Sequence, residues 1–161
     1  ALKQAAQYDA LTGLNNRRAF YEHGQQLFQQ ARSGGRDLSV AMLDLDFFKR
    51  INDDHGHASG DAALIGFARA FSATFPDALL GRLGGEEFAM VSQQDAATLS
   101  DTLDQLRTHC ASLKYAIGAP ALSFSAGIYH GAPDDLESLL HQADLRLYQA
   151  KSQGRGRNCW Q

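Results

Sequence analysis

At 161 residues, 44% of them hydrophobic and 20% charged, the chain is the size of one globular domain with enough apolar residues for a substantial core. Fifteen Lys and Arg against eighteen Asp and Glu give a formal charge of −3, which leaves no basic footprint for a nucleic-acid polymer. No apolar run approaches the ~20 residues that span a bilayer, no signal peptide is visible, and Cys110 and Cys159 lack metal-ligand spacing. A cytoplasmic domain without membrane contact is expected, whether or not a longer parent protein is membrane-anchored.

Residues 1–7 are mostly good helix formers without an N-cap and read as the end of a linker helix from an upstream sensory or dimerising module, with one domain over 8–161. Asn16 to Ala31 carries Phe20, His23, Leu27 and Phe28 at helical spacing. Leu38 to Leu43 is a nearly continuous apolar run, as in a strand buried on both faces, and it leads into Asp44-Leu45-Asp46. Those two aspartates project the same way if the strand continues through them. A short helix is predicted over Phe47 to Asp54 and a longer one over Asp61 to Phe75, stopped by Pro76. A hairpin follows over about 79–92, with Gly84-Gly85 as its central turn residues because both can adopt φ > 0. Ala96 to Leu113 reads as a helix, Leu122 to Tyr129 as a strand and Leu136 to Ser152 as a closing helix. Alternating helices and strands with an internal hairpin give an α/β (α+β) fold, a mixed sheet flanked by helices.

Two acidic stretches stand out. Glu86-Glu87 directly follows the glycine pair, where burial is unfavourable unless a cation or donor neutralises the charge. Asp44 ends a buried strand, the place where α/β proteins put ligand-binding groups. Oxygen donors of this kind suit a hard divalent cation whose shell is completed by phosphates.

Gly84-Gly85-Glu86-Glu87-Phe88 resembles the signature of the GGDEF family of diguanylate cyclases in its Glu-for-Asp form. Asp9-Ala10-Leu11-Thr12-Gly13-Leu14-Asn15-Asn16-Arg17-Arg18 resembles the family's opening segment. Asp44 through Asn52 with Gly56-His57 and Gly60-Asp61 resembles its nucleotide-binding stretch, and Ser125 to Ile128 and Ala143 to Arg155 its closing segments. The resemblance implies the nucleotide-cyclase fold, related to the polymerase palm, with a GGEEF hairpin. It also implies condensation of two GTP into cyclic di-GMP with release of two pyrophosphates, by two copies of the domain in a transient two-fold pair.

Carried over residue by residue, Asp44 and the Leu45 carbonyl correspond to metal ligands. Glu86 and Glu87 correspond to the acidic pair that holds metal and activates the 3′-hydroxyl, with the division between them open. Two Mg²⁺ or Mn²⁺ are implied per site. Asn52 and Asp61 correspond to the guanine-reading pair. Each has a plainer alternative, a helix C-cap for Asn52 and an N-cap for Asp61. Lys49, Lys151, Arg155, His57, Gly84, Gly85 and the backbone amides near Phe47 and Phe48 fall in the substrate-binding set. Lys151 and Arg155, four apart, share a helix face if the helix reaches that far. Both phenylalanine side chains are expected in the core, and Asp46 is expected to be structural. Asp9 and Arg82 correspond to a bracing pair. Phe75 and Ala78 stand where the family's product-inhibition motif has Arg and Asp, so that standard site is absent. Two other readings are a regulatory module that binds GTP or cyclic di-GMP without turnover, and a purely structural dimerisation domain. A haloacid-dehalogenase-type phosphohydrolase shares Asp-x-Asp, but Phe47 and Phe48 replace the residues that should follow it.

Overall fold

A computed structural model of the chain describes residues 6–161. The expected linker helix falls mostly outside the described residues; Ala6 and Gln7 are not helical, and Gln7 accepts the Asn16 amide at 2.8 Å. The elements run α1 (Arg17–Ser33), β1 (Leu38–Leu45), α2 (Phe48–His55), α3 (His57–Thr74), β2 (Leu79–Gly84), β3 (Glu87–Ser92), α4 (Ala96–Ala111), β4 (Phe124–Gly131), α5 (Leu136–Ser152) and β5 (Asn158–Cys159). They form a mixed five-stranded sheet in the order β2-β3-β1-β4-β5, antiparallel except where β5 joins β4.

Strand alternation divides the core in two. Ala41, Leu43 and Leu45 of β1 face a cluster built on Phe67, Phe71, Phe88, Phe124 and the apolar side of α4. Leu38, Val40 and Met42 face the other cluster, with Phe20 and Phe28 of α1 and Leu136, Leu140 and Leu147 of α5. All eight residues of β1 are buried, as the apolar run predicts. Phe67 anchors the first cluster, with its ring 4.7 Å from Phe88 and 5.5 Å from Phe124. Fully burying one such ring contributes about 1.5–3 kcal/mol.

Sidechain caps fix the helix starts where the sequence offers Asn or Asp. Asn16 accepts the Ala19 amide at 2.9 Å, and Asp95 accepts that of Thr98 at 2.8 Å. The edge strand β2 is fastened by the opening segment: Asn15 donates to the Leu80 carbonyl and accepts the Arg82 amide, each at 2.9 Å.

The structure corrects several expected boundaries. The two residues at the tip of the hairpin are Gly85 and Glu86, not Gly84 and Gly85; Gly84 pairs with Glu87 and a register shift falls between Arg82 and Gly84. Helix α3 begins at His57, four residues before Asp61. Strand β5 was not predicted.

Candidate active site

Asp44 lies on the α1/α5 side of β1 by strand parity, one step beyond Met42. Its cross-strand partner is Glu87, and the next amide, Leu45 N, donates to the Glu86 carbonyl at 3.2 Å. Glu86 sits in the turn itself, so it is exempt from the alternation that would aim neighbouring strand residues apart. The structure therefore brings Asp44, Leu45, Glu86 and Glu87 to one corner of the sheet.

The Lys151 ammonium, from the last turn of α5, donates to Asp44 Oδ2. Asp44 is 6% exposed, and burial raises its pKa above the ordinary carboxyl value. Lys151 opposes that rise, while the negative charges of Glu86 and Glu87 add to it. A buried carboxylate with two like charges beside it is a place where a cation would be favourable. The donor set is oxygen only, which suits Mg²⁺ or Mn²⁺. Among the described residues no group of three or more His, Cys, Asp or Glu side chains closes on one point.

Strand β1 ends at Leu45, so Asp46 does not continue the Asp44 direction. It turns away, accepting from Ser125 Oγ at 2.6 Å and from the Gly156 amide at 3.1 Å. Both carboxylate oxygens are thus engaged in tying the end of β1 to β4 and to the turn after α5.

Asn52 and Asp61 are not caps. Asn52 is inside α2, whose cap is Gly56, and Asp61 is inside α3. Asn52 packs against Gly60, where an added Cβ would stand 1.8 Å from Asn52 Oδ1. Asp61 is the next residue and is exposed. Neither side chain is needed to terminate a helix, so the plainer explanations fail for both. Lys49 and His57 are exposed on α2 and at the start of α3, and Gly84 and Gly85 are exposed at the end of β2 and in the turn.

Two further expectations are overturned. Helix α5 ends at Ser152, so Lys151 and Arg155 do not share a helix face; Arg155 lies in the following turn with φ 65°. Phe48 is partly buried against the core, but Phe47 is 52% exposed and left-handed, with φ 57°. Arg155 and Arg50 each place a guanidinium carbon 5.0 Å from the centre of the Phe47 ring. Arg50 was missed as a neighbour of the site. Its only signal in the sequence is its place three residues after Phe47.

Arg82 braces the hairpin as expected. One arm donates to both Asp9 oxygens, at 3.1 and 3.0 Å, and Nε donates to the Gly85 carbonyl at 2.9 Å. Partial burial pushes the Asp9 pKa up, yet hydrogen bonds from Thr12 and Arg82 hold it below the ordinary value. Phe75 is buried against Phe71 at the end of α3, and Ala78 packs on the same core.

Residues 6–157 match the family described as "Diguanylate cyclase, GGDEF domain". The chain is 38% identical over 150 residues to diguanylate cyclase DgcP of Escherichia coli, covering 89% of this chain and 44% of that protein. It is 36% identical over 160 residues to cyclic di-GMP phosphodiesterase NbdA of Pseudomonas aeruginosa, covering 96% of this chain and 20% of that protein. The chain thus spans less than half the length of either relative. Its fold superposes on the GGDEF domain of DgcB from Caulobacter crescentus, solved in complex with c-di-GMP. That match has TM-score 0.89 and 32% identity, over 99% of this chain and 96% of that one.

Proposed function

The chain belongs to the GGDEF family of diguanylate cyclases over residues 6–157, and on that premise we propose that it condenses two GTP into cyclic di-GMP. In each half of the reaction a 3′-oxygen bonds to the α-phosphorus of the other nucleotide. The α–β phosphoanhydride bond breaks, pyrophosphate leaves and the hydroxyl proton is lost. The observation that carries this reading is the pairing of Asp44 with Glu87 beside the Glu86 turn, with Lys151 on Asp44.

In this reading Asp44, the Leu45 carbonyl and the Glu86/Glu87 pair hold two divalent cations. When bound, these cations would neutralise charge on the reacting phosphate and lower the pKa of the attacking hydroxyl. Glu86 in the turn and Glu87 at the start of β3 would take the hydroxyl proton. Asn52 and Asp61 receive the guanine edge, whose amide and amine donors suit a carboxylate acceptor. Lys49, Lys151, Arg155 and the amides near Phe47 and Phe48 orient the triphosphate, and His57, Gly84 and Gly85 border it. Such catalysis is mostly positioning and charge stabilisation. Because one domain presents one such corner while the product joins two nucleotides reciprocally, two copies meet about a two-fold axis. An upstream module in a longer parent would hold them together. Among the described residues no helix is long and apolar enough to cross a membrane.

A second reading, a regulatory module that binds guanine nucleotides without turnover, is favoured by the 36% identity to a protein named as a phosphodiesterase. One experiment separates the two. Incubation with GTP and Mg²⁺ should yield cyclic di-GMP and two equivalents of pyrophosphate, resolved by chromatography. Bound GTP with no product would favour the regulatory module.

A further inference from the structure

The loop between α4 and β4 carries the most exposed large apolar side chain among the described residues, Ile117, which is 101% exposed. Its turn is held from both sides. Gly118 takes φ 73°, the Ala119 amide donates to the Ala116 carbonyl at 3.4 Å, and the Tyr115 hydroxyl donates to the Pro120 carbonyl at 2.7 Å. A strapped turn thus presents one branched apolar side chain to solvent, where it stabilises nothing within the chain.

Beside this loop a groove of about 590 Å³ runs between α3 and the end of α4. Its α3 wall is Ala62, Ile65, Gly66, Arg69 and Ala73, which share one face of that helix over about 16 Å at 1.5 Å per residue. Leu113 and Lys114 line both this groove and a second hollow, of about 610 Å³, formed by the Ile117 loop. The two hollows are therefore one surface. Arg69, His109 and Lys114 edge it, all exposed, and none takes part in a salt bridge among the described residues. Among the described residues no Asp or Glu lines either hollow, in a chain whose formal charge is −3. The surface lies on the α3/α4 side of the sheet, opposite to the side that Asp44 faces.

Three occupants suit an apolar face edged by cations, and the geometry separates them. A second copy docked by the same face would bring Arg69 and Lys114 against their own kind, and like charges across an interface are costly. An anionic bilayer is flat, whereas this face is concave along three turns of α3. A helix with an apolar side flanked by carboxylates fills the groove and neutralises its edge.

We propose that the α3/α4 groove and the Ile117 loop form a docking surface for an acidic amphipathic helix of a partner protein. Ile117 and Leu113 are its apolar anchors, and Arg69 and Lys114 pair with the partner's carboxylates. The surface uses none of the residues assigned above to nucleotide or metal.

The test uses a peptide of about 20 residues with Leu and Ala on one helical face and Glu on the other, and its counterpart with Lys in place of Glu. Each is titrated into the isotope-labelled chain and followed by the amide resonances. The Glu peptide should shift Ile65, Gly66, Leu113 and Ile117 and saturate with a dissociation constant of about 100 μM or below, and the Lys peptide should shift none of them. Ile117→Ser should weaken the Glu peptide about 10-fold, and Arg69→Glu combined with Lys114→Glu should transfer binding to the Lys peptide. All three positions are exposed, so both variants should keep the wild-type melting temperature. Undiminished binding of the Glu peptide by either variant, no saturable shift with it, or equal shifts with both peptides would overturn the inference. Dimerisation of the wild type that Ile117→Ser abolishes would assign the face to a second copy instead. Binding to phosphatidylserine vesicles that Ile117→Ser abolishes, without binding of the Glu peptide, would assign it to a membrane. Either result overturns the proposal.

Discussion

Lys151 and Asp44, separated by 107 positions, form an ion pair that joins the last turn of α5 to the end of β1. The pair is asymmetric: Asp44 is 8% exposed at its side chain and Lys151 is 34% exposed. Removing the lysine leaves a buried carboxylate beside two glutamates. Lys151→Ala should destabilise the fold by about 1–3 kcal/mol, below the cost for a fully buried pair because solvent screens the exposed lysine. Asp44→Asn should instead abolish turnover with the melting temperature maintained or raised. Because burial raises the Asp44 pKa, the folded state holds its proton more tightly than the unfolded one. Its contribution therefore becomes more favourable as pH falls from neutrality toward that raised pKa. Melting wild type and Asp44→Asn in parallel across this range checks the sign; a gap between them that widens in acid, to the wild type's disadvantage, would contradict it.

Asp9 should behave in the opposite sense. Its pKa is held below the ordinary value, so its stabilising contribution is present above about pH 4 and is lost as pH falls through the lowered pKa. Asp9→Asn should cost about 1–2 kcal/mol at pH 7 and progressively less as pH falls through the lowered pKa, read from denaturant midpoints across an acid series.

In the proposed guanine reading, base choice depends on Asp61. Asp61→Ala should weaken GTP binding by about 1–3 kcal/mol, because guanine donors lose their acceptor, and should leave ATP binding as weak as before. Competition titrations of the two nucleotides measure both quantities, and equal wild-type affinity for ATP and GTP would count against the assignment.

Much of this was legible in the sequence because apolar spacing and chain breakers agree with the tertiary structure. The all-buried β1, the Pro76 stop and the closing helix α5 appear where periodicity puts them. What escaped depends on contacts distant in sequence. Strand β5 has two residues and no period of its own; Asn158 is held by its side-chain amide donating to the Ser100 carbonyl at 2.9 Å. Asp46 was read as structural, but its partners, Ser125 Oγ and the Gly156 amide, lie 79 and 110 positions away and needed the fold. Helix α3 starts early through His57, Ala58, Ser59 and Gly60, where only Ala58 is a strong helix former and Gly60 disfavours a helix. The acidic corner was readable as two motifs, whereas Lys151 on Asp44 needed the fold.

Product feedback through the family's usual motif should be missing. Phe75 is 5% exposed and sits in the aromatic cluster, so restoring charge there means burying it. Phe75→Arg should destabilise the domain by about 3–5 kcal/mol, measured by chemical denaturation. Cyclic di-GMP added to wild type should inhibit only in competition with GTP.

Assembly should set the rate. Specific activity is expected to rise with protein concentration and to rise further when a dimerising coiled coil is fused before Ala1, because tethering supplies effective concentration. A flat dependence in dilution assays would contradict the two-fold reading.

The acidic corner is mounted on two elements of unequal stiffness. Strand β1 is central, paired on both sides and wholly buried, whereas Glu86 sits at the tip of a hairpin whose outer strand is the sheet edge. Amide protons of β1 should exchange with deuterium only on global unfolding, and those near Gly85 within the dead time of the measurement. Asp44 is thus held by the central strand and Glu87 by its pairing with it, whereas Glu86, in the turn, depends on the Arg82 fork on Asp9 and on the Gly85 carbonyl to keep its place.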